Sequence, residues 1–103
     1  MIRRKGQELE LASDSNIMEW IKADLVESVA ALLKALVKKD QEDISDAVAT
    51  VLISTYLLGQ RAGVSYQSME SMVKWKLANS LDLNEDGYTD LMGLLKYLEQ
   101  QKR

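Results

Sequence analysis

Apolar residues recur at three- and four-residue steps through most of the chain. Ile17, Ile21, Leu25, Val29, Leu32 and Leu36 trace one such stripe, the mark of an amphipathic helix. Ser13, Asp14 and Ser15 offer N-caps ahead of it, and Lys38 and Lys39 suit the negative end of its dipole. Asp40 is placed to cap a second helix, whose first turn carries the acids of the Asp40–Asp43 run. That helix is predicted to reach Ala62, with Gly63 as the residue that turns the chain out of it. Ser65 caps a third helix through Met69, Met72, Val73 and Leu77. A polar loop follows from Asp82 to Gly87, and a fourth helix starts near Thr89 and carries Leu91, Leu94, Leu95 and Leu98. Nothing alternates like a strand over a useful length. The pattern predicts an all-α bundle of about four helices, organised as a polar arm over residues 1–13 and a single helical domain over 14–103.

The second helix has an unusual surface. From Ala47 to Leu58 every face is apolar, small or hydroxyl-bearing. A helix apolar all round is normally surrounded by protein, and four helices in so short a chain barely enclose one of their number. Self-association, as a homodimer or homotetramer, is the expected cover. Lipid is not expected to provide it: the longest uncharged run, Ala47 to Gln60, falls short of the roughly 20 apolar residues that a membrane span needs.

Composition removes several chemistries. The 103 residues include no Cys, His, Pro or Phe. Disulfides, thiol nucleophiles, imidazole bases and the usual zinc sites are therefore excluded. A metal would have to be held by oxygen, which favours Mg²⁺, Mn²⁺ or Ca²⁺. Thirteen basic residues against 16 acidic ones give a net charge of −3, which argues against a nucleic-acid-binding surface. The Met1–Lys5 start is followed by polar residues rather than an apolar export segment, so a cytoplasmic location is expected.

Two acid pairs carry the candidate chemistry. Asp24 and Glu27 are three apart in the first helix and share a face with Ile17, Trp20, Ile21, Ser28 and Ala31. Asp43 and Asp46 are three apart in the second, on a stripe through Ala47, Thr50, Ser54 and Leu57. Gathered together, the four could form a carboxylate cage for Mg²⁺. A plain alternative stands beside this: acids in a first turn are favoured by the dipole alone, and Asp24 and Glu27 could be a solvated face beside Lys22 and Lys34. A simple antiparallel hairpin would also leave the pairs apart, with one about 20 Å from the turn at 1.5 Å per residue and the other close to it. Convergence would need a steep crossing, a kinked connection or a partner subunit.

At these residues the chain resembles the MazG-like family of all-α nucleoside triphosphate pyrophosphohydrolases. Asp24-Leu-Val-Glu27 stands where that family has E-x-x-E, and Asp43-Ile-Ser-Asp46 where it has E-x-x-D. The helix from Asp46 to Gly63, the run Glu19–Leu25 and the stretch from Asp90 to Leu98 are similar to a short, stand-alone branch of the family. The resemblance implies a Mg²⁺-dependent hydrolase, with Mn²⁺ as an alternative ion, that cleaves a nucleoside triphosphate to the monophosphate and pyrophosphate. It implies Asp24, Glu27, Asp43 and Asp46 as metal ligands, Glu27 as the catalytic base, and Lys76, Asn79 and Trp20 as substrate contacts. Trp20 and Trp75 could stack on a base or simply pack. Two departures are visible, since Asp24 and Asp43 are each one methylene shorter than the family's Glu. The alternative is a catalytically silent helical oligomerisation or interaction module on the same fold.

A second motif lies at Asp82-Leu-Asn84-Glu-Asp86-Gly87-Tyr88-Thr-Asp90, which has the spacing of a calcium loop. Its twelfth position is Gly93, where a bidentate Glu belongs. A polar turn that caps its own backbone is the favoured reading, and Ca²⁺ binding at Asp82–Asp90 is not expected.

Overall fold

A computed structural model describes residues 14–80 and 87–101 of the chain. Every regular element among them is a helix. These are α1 (Asp14–Lys38), α2 (Gln41–Arg61), α3 (Tyr66–Ser80) and α4 (Tyr88–Gln100), and the protein is all-α as the apolar periodicity requires. The predicted arm over 1–13, its cap candidate Ser13, and positions 82–86 of the predicted loop lie outside the described residues.

Two compact units emerge, Met1–Val64 and Ser65–Arg103. In the first, α1 and α2 pack along each other as an antiparallel hairpin with a two-residue link. Its enclosed side chains follow a period of seven. They are Ile21, Ser28 and Ala35 on α1, and Ala47 and Ser54 on α2. Seven residues are two helical turns, so these positions form one straight seam. Four of the five are Ala or Ser, and such small side chains let the two backbones approach closely. Larger residues, among them Ile17, Leu25, Leu32, Ile44, Val51, Leu57 and Leu58, flank the seam half-buried.

The helix ends explain why the hairpin turns where it does. Lys39 adopts a left-handed conformation, φ 59°. Its N–H reaches the Leu36 carbonyl at 3.2 Å, and that of Asp40 reaches Ala35 at 3.4 Å, which satisfies two of the last carbonyls of α1. Asp40 then caps α2, its carboxylate accepting from the N–H groups of Glu42 at 3.1 Å and Asp43 at 3.2 Å. The far end of α2 repeats the device with Gly63 at φ 101°, where Val64 N–H reaches the Gly59 carbonyl at 2.9 Å. Sequence placed Asp40 and Gly63 in these roles; the left-handed residue at Lys39 had no sequence signal, because glycine is the usual occupant.

In the second unit α4 packs on α3. Ser65 caps α3, its hydroxyl accepting from Ser68 N–H at 3.0 Å. Leu77 is buried, while Met69, Leu91, Leu95 and Leu98 are half-buried. No single described helix is long and apolar enough to cross a membrane.

Three substitutions test this account in urea unfolding. Ala47→Leu should cost about 1–3 kcal/mol by overfilling the seam, whereas Ala49→Leu, on the exposed face, should change stability by less than about 0.5 kcal/mol. Lys39→Gly should raise stability by about 1 kcal/mol, the order of the penalty that a side chain meets in the left-handed region.

Candidate functional site

Each helix turns about 100° per residue, so the seam divides the hairpin into two flanks. Trp20, Asp24, Glu27, Ala31 and Lys38 fall to one side of the α1 seam. Val26, Val29, Leu33 and Leu36 fall to the other. On α2, Asp43, Asp46 and Thr50 lie to one side, with Val48 and Leu52 opposite. An ion pair fixes which sides match: Lys38 Nζ meets Asp43 Oδ2 at 3.8 Å across the turn. All four sequence-predicted acids therefore share one flank of the hairpin.

They do not gather on it. Glu27 lies eleven residues before the end of α1, and Asp46 five residues after the start of α2. At 1.5 Å per residue the nearest acids of the two pairs are offset by about 9 Å along the hairpin. Among the described residues no group of three acidic side chains is close enough to hold a metal ion. The straight hairpin, with its two-residue link, is the arrangement that keeps the pairs apart.

Their surroundings differ in kind. Glu27, Asp43 and Asp46 are exposed, and Asp24 is half-buried. One oxygen of Asp24, Oδ2, is fully enclosed and has no hydrogen-bonding partner. Asp43 is occupied twice over, by Lys38 and by its place in a first turn that carries the positive end of the helix dipole. The Lys38–Asp43 pair is itself more than half exposed on both sides and adds little stability. Lys22 does not serve the acids at all. It pairs with Glu19 at 2.9 Å on the outer face of α1. Trp20 is half-buried one turn before Asp24, on the acid flank.

The remaining sequence candidates belong to the second unit. Lys76 and Asn79 are both exposed on α3, and the Asn79 amide donates to the Trp75 carbonyl of its own helix at 2.8 Å. Trp75 is 61% exposed and adjoins Met72, Ser68, Ser71 and Gln67 in a shallow surface groove. Within the chain, most of the Trp75 ring faces solvent. Of the calcium-type loop, Asp82, Asn84 and Asp86 lie outside the described residues, while Asp90 sits exposed in the first turn of α4.

Comparison with known proteins adds one decisive match. The MazG-like family model covers residues 11–91, which spans α1, α2, α3 and the start of α4. The chain belongs to the MazG-like family. No curated protein and no solved structure matches it. Membership ties the acid-bearing hairpin to the all-α fold of nucleotide pyrophosphohydrolases and their relatives, and the family is associated with divalent-metal-dependent activity.

The donors on this MazG-like hairpin are hard oxygens, which suits Mg²⁺ or Mn²⁺ and no softer ion. Their number at any one level is two. Mg²⁺ is commonly bound by one or two carboxylates together with substrate phosphates rather than by an all-protein cage. Asp24 and Glu27 together therefore fit an ion that completes its shell from other oxygens, and the four acids do not fit a closed carboxylate cage within one hairpin.

Proposed function

We propose that this MazG-like protein is a nucleoside triphosphate pyrophosphohydrolase that binds its substrate as a Mg²⁺ complex and works as a homo-oligomer in the cytoplasm. The observation that carries the reading is the division of the hairpin. Every family-motif acid lies on one flank, while the opposite flank groups exposed Val26, Val29, Leu33 and Leu36 of α1 with Val48 and Leu52 of α2. Val26 at 70%, Leu33 at 58%, Leu52 at 53% and Leu36 at 49% exposure are costly to leave in water. A second copy of the same face is a self-complementary cover for them, and it would leave the acid flank open to substrate.

On that flank Asp24 and Glu27 would take the phosphate-bound ion, while Asp46, farther along the hairpin on α2, would face the same substrate side without sharing that ion. Mg²⁺, when bound, would screen the phosphate charge and make a coordinated water more acidic. Glu27, exposed and one turn from Asp24, is the carboxylate free to accept the proton of an attacking water. Trp20 lies on the same side for a nucleobase to stack on. Lys76 and Asn79, by family resemblance, would contact the substrate. The products would be a nucleoside monophosphate and pyrophosphate.

A second reading has its own support. Asp43 is already paired with Lys38, and no three acids converge. A MazG-like module that kept the hairpin for assembly and lost catalysis would look the same. Pyrophosphate release from a pool of ribo- and deoxynucleoside triphosphates with Mg²⁺ separates the two. Metal-dependent release that falls at least tenfold in Asp46→Ala is expected of the hydrolase. Release no higher than that of Asp46→Ala, from folded protein, would sink it. Assembly is checked independently by sedimentation. Val29→Glu with Leu33→Glu should convert the oligomer to monomer while helicity by circular dichroism is kept.

A further inference from the structure

The α1–α2 seam holds a polar feature that the proposed chemistry does not use. Ser54 is the most enclosed side chain of the described residues, 1% exposed. Three other hydroxyls of the hairpin turn back onto their own helix. Ser28 donates to the Leu25 carbonyl at 3.0 Å, Thr50 to Asp46 at 3.1 Å and Thr55 to Val51 at 2.7 Å. Ser54 could donate to Thr50 in the same way and does not. Its Oγ is enclosed without a partner, and so is Asp24 Oδ2. They are the two side-chain atoms of the described residues in that condition.

Residue counts and helical phase bring the two orphans to the same level of the seam. Asp24 is fourteen residues before the end of α1, and Ser54 is thirteen residues after the start of α2. At 1.5 Å per residue both lie about 20 Å from the turn, level to well within a helical turn. Both also lean from the seam towards the acid flank. A hydroxyl has a proton to donate, and an ionised carboxylate only accepts. The pair is complementary in chemistry as well as in place. An enclosed acceptor and an enclosed donor each lose their hydration on folding, and one shared partner restores both.

We propose that Ser54 and Asp24 form one hydrogen-bonded unit across the seam, closed by a single buried water that accepts from the Ser54 hydroxyl and donates to Asp24 Oδ2. The link commits the inner oxygen of Asp24 to the hairpin and turns its other oxygen outward. It also explains a serine where Ala35 and Ala47 show that alanine fits. The inference concerns the seam and stands whether or not the flank hydrolyses nucleotides. Its only bearing on that reading is that Asp24 would offer one oxygen, not two, to an ion.

The sign of one substitution tests it, in metal-free full-length protein. Without a partner, the Ser54 hydroxyl is a burden, and Ser54→Ala should leave the melting temperature unchanged or raise it, since alanine is also the better helix former. With the link, Ser54→Ala should lower the melting temperature by about 5 °C, and the loss should vanish when Asp24 is already Ala, as a double-mutant cycle reads directly. A slowly exchanging hydroxyl proton on Ser54, visible by NMR and absent in Asp24→Ala, is the accompanying signature. A rise or no change with Ser54→Ala, an equal loss in the Asp24→Ala background, or no protected hydroxyl proton would each overturn the proposal. Because none of these readings involves nucleotide or Mg²⁺, failure here is separate from failure of the hydrolase assay.

Discussion

The close approach of α1 and α2 along a seam of small residues is the constraint on which the rest of the first unit depends. Ser28, Ala35, Ala47 and Ser54 recur every two turns, so the contact stays straight and the helices run side by side over most of their length. Small side chains at the centre have a cost in buried apolar area, because an Ala covers far less surface than a Leu. The missing area reappears at the margins. Leu25, Leu32, Val51 and Leu58 flank the seam half-buried, and a further set of large apolar residues is pushed out to solvent. A narrow core and an exposed apolar flank are two results of the same spacing.

That geometry also arranges the acids. A straight seam with a two-residue link gives each helix a fixed phase, and the phase puts Asp24, Glu27, Asp43 and Asp46 on one side. It leaves them spread along the hairpin rather than gathered. The MazG-like fold thus carries the acids at the two motif positions on one side of its hairpin. The chain's own Asp-for-Glu replacements, and the Lys38–Asp43 pair, distinguish its carboxylates from one another. Asp24 belongs half to the seam, Asp43 is held by a cation and a helix end, and Glu27 and Asp46 stand in solvent.

Much of this was legible in the sequence because it is local. Caps at Asp40 and Ser65 and the exit at Gly63 follow from the hydrogen-bonding needs of helix ends, and each is found where the residues predict it. The family resemblance, carried by the acid pairs and by the helix from Asp46 to Gly63, agrees with the match over residues 11–91. The separation of the acid pairs was also foreseeable, since it needs only residue counts and helical rise. What periodicity did not reveal is the centre of the seam. A stripe drawn through Ile17, Ile21 and Leu25 meets the seam at Ile21, whereas its other four enclosed positions belong to serines and alanines that count weakly as hydrophobic. Sequence places Ser54 on the stripe of the second acid pair, in a stretch that is apolar, small or hydroxyl-bearing, which does not say that it is the most enclosed of the described residues. Its burial is a tertiary fact, set by the part of α1 about thirty residues away in sequence. Lys39 is similar, because nothing local favours a lysine in the left-handed region, and the tight link alone explains it.

The shortness of that link has a consequence for how the protein comes into being. Closing two residues between helices that then contact their immediate neighbours in sequence costs little chain entropy, and structures dominated by such near-neighbour contacts fold fast. The first unit ends at Val64, and the contacts between α1 and α2 lie entirely within residues that precede α3. The hairpin can zip from Asp40 outward while the remainder is still being made. Because those contacts are local, the phase of the two helices, and with it the side that carries the acids, is set by the first contacts to form.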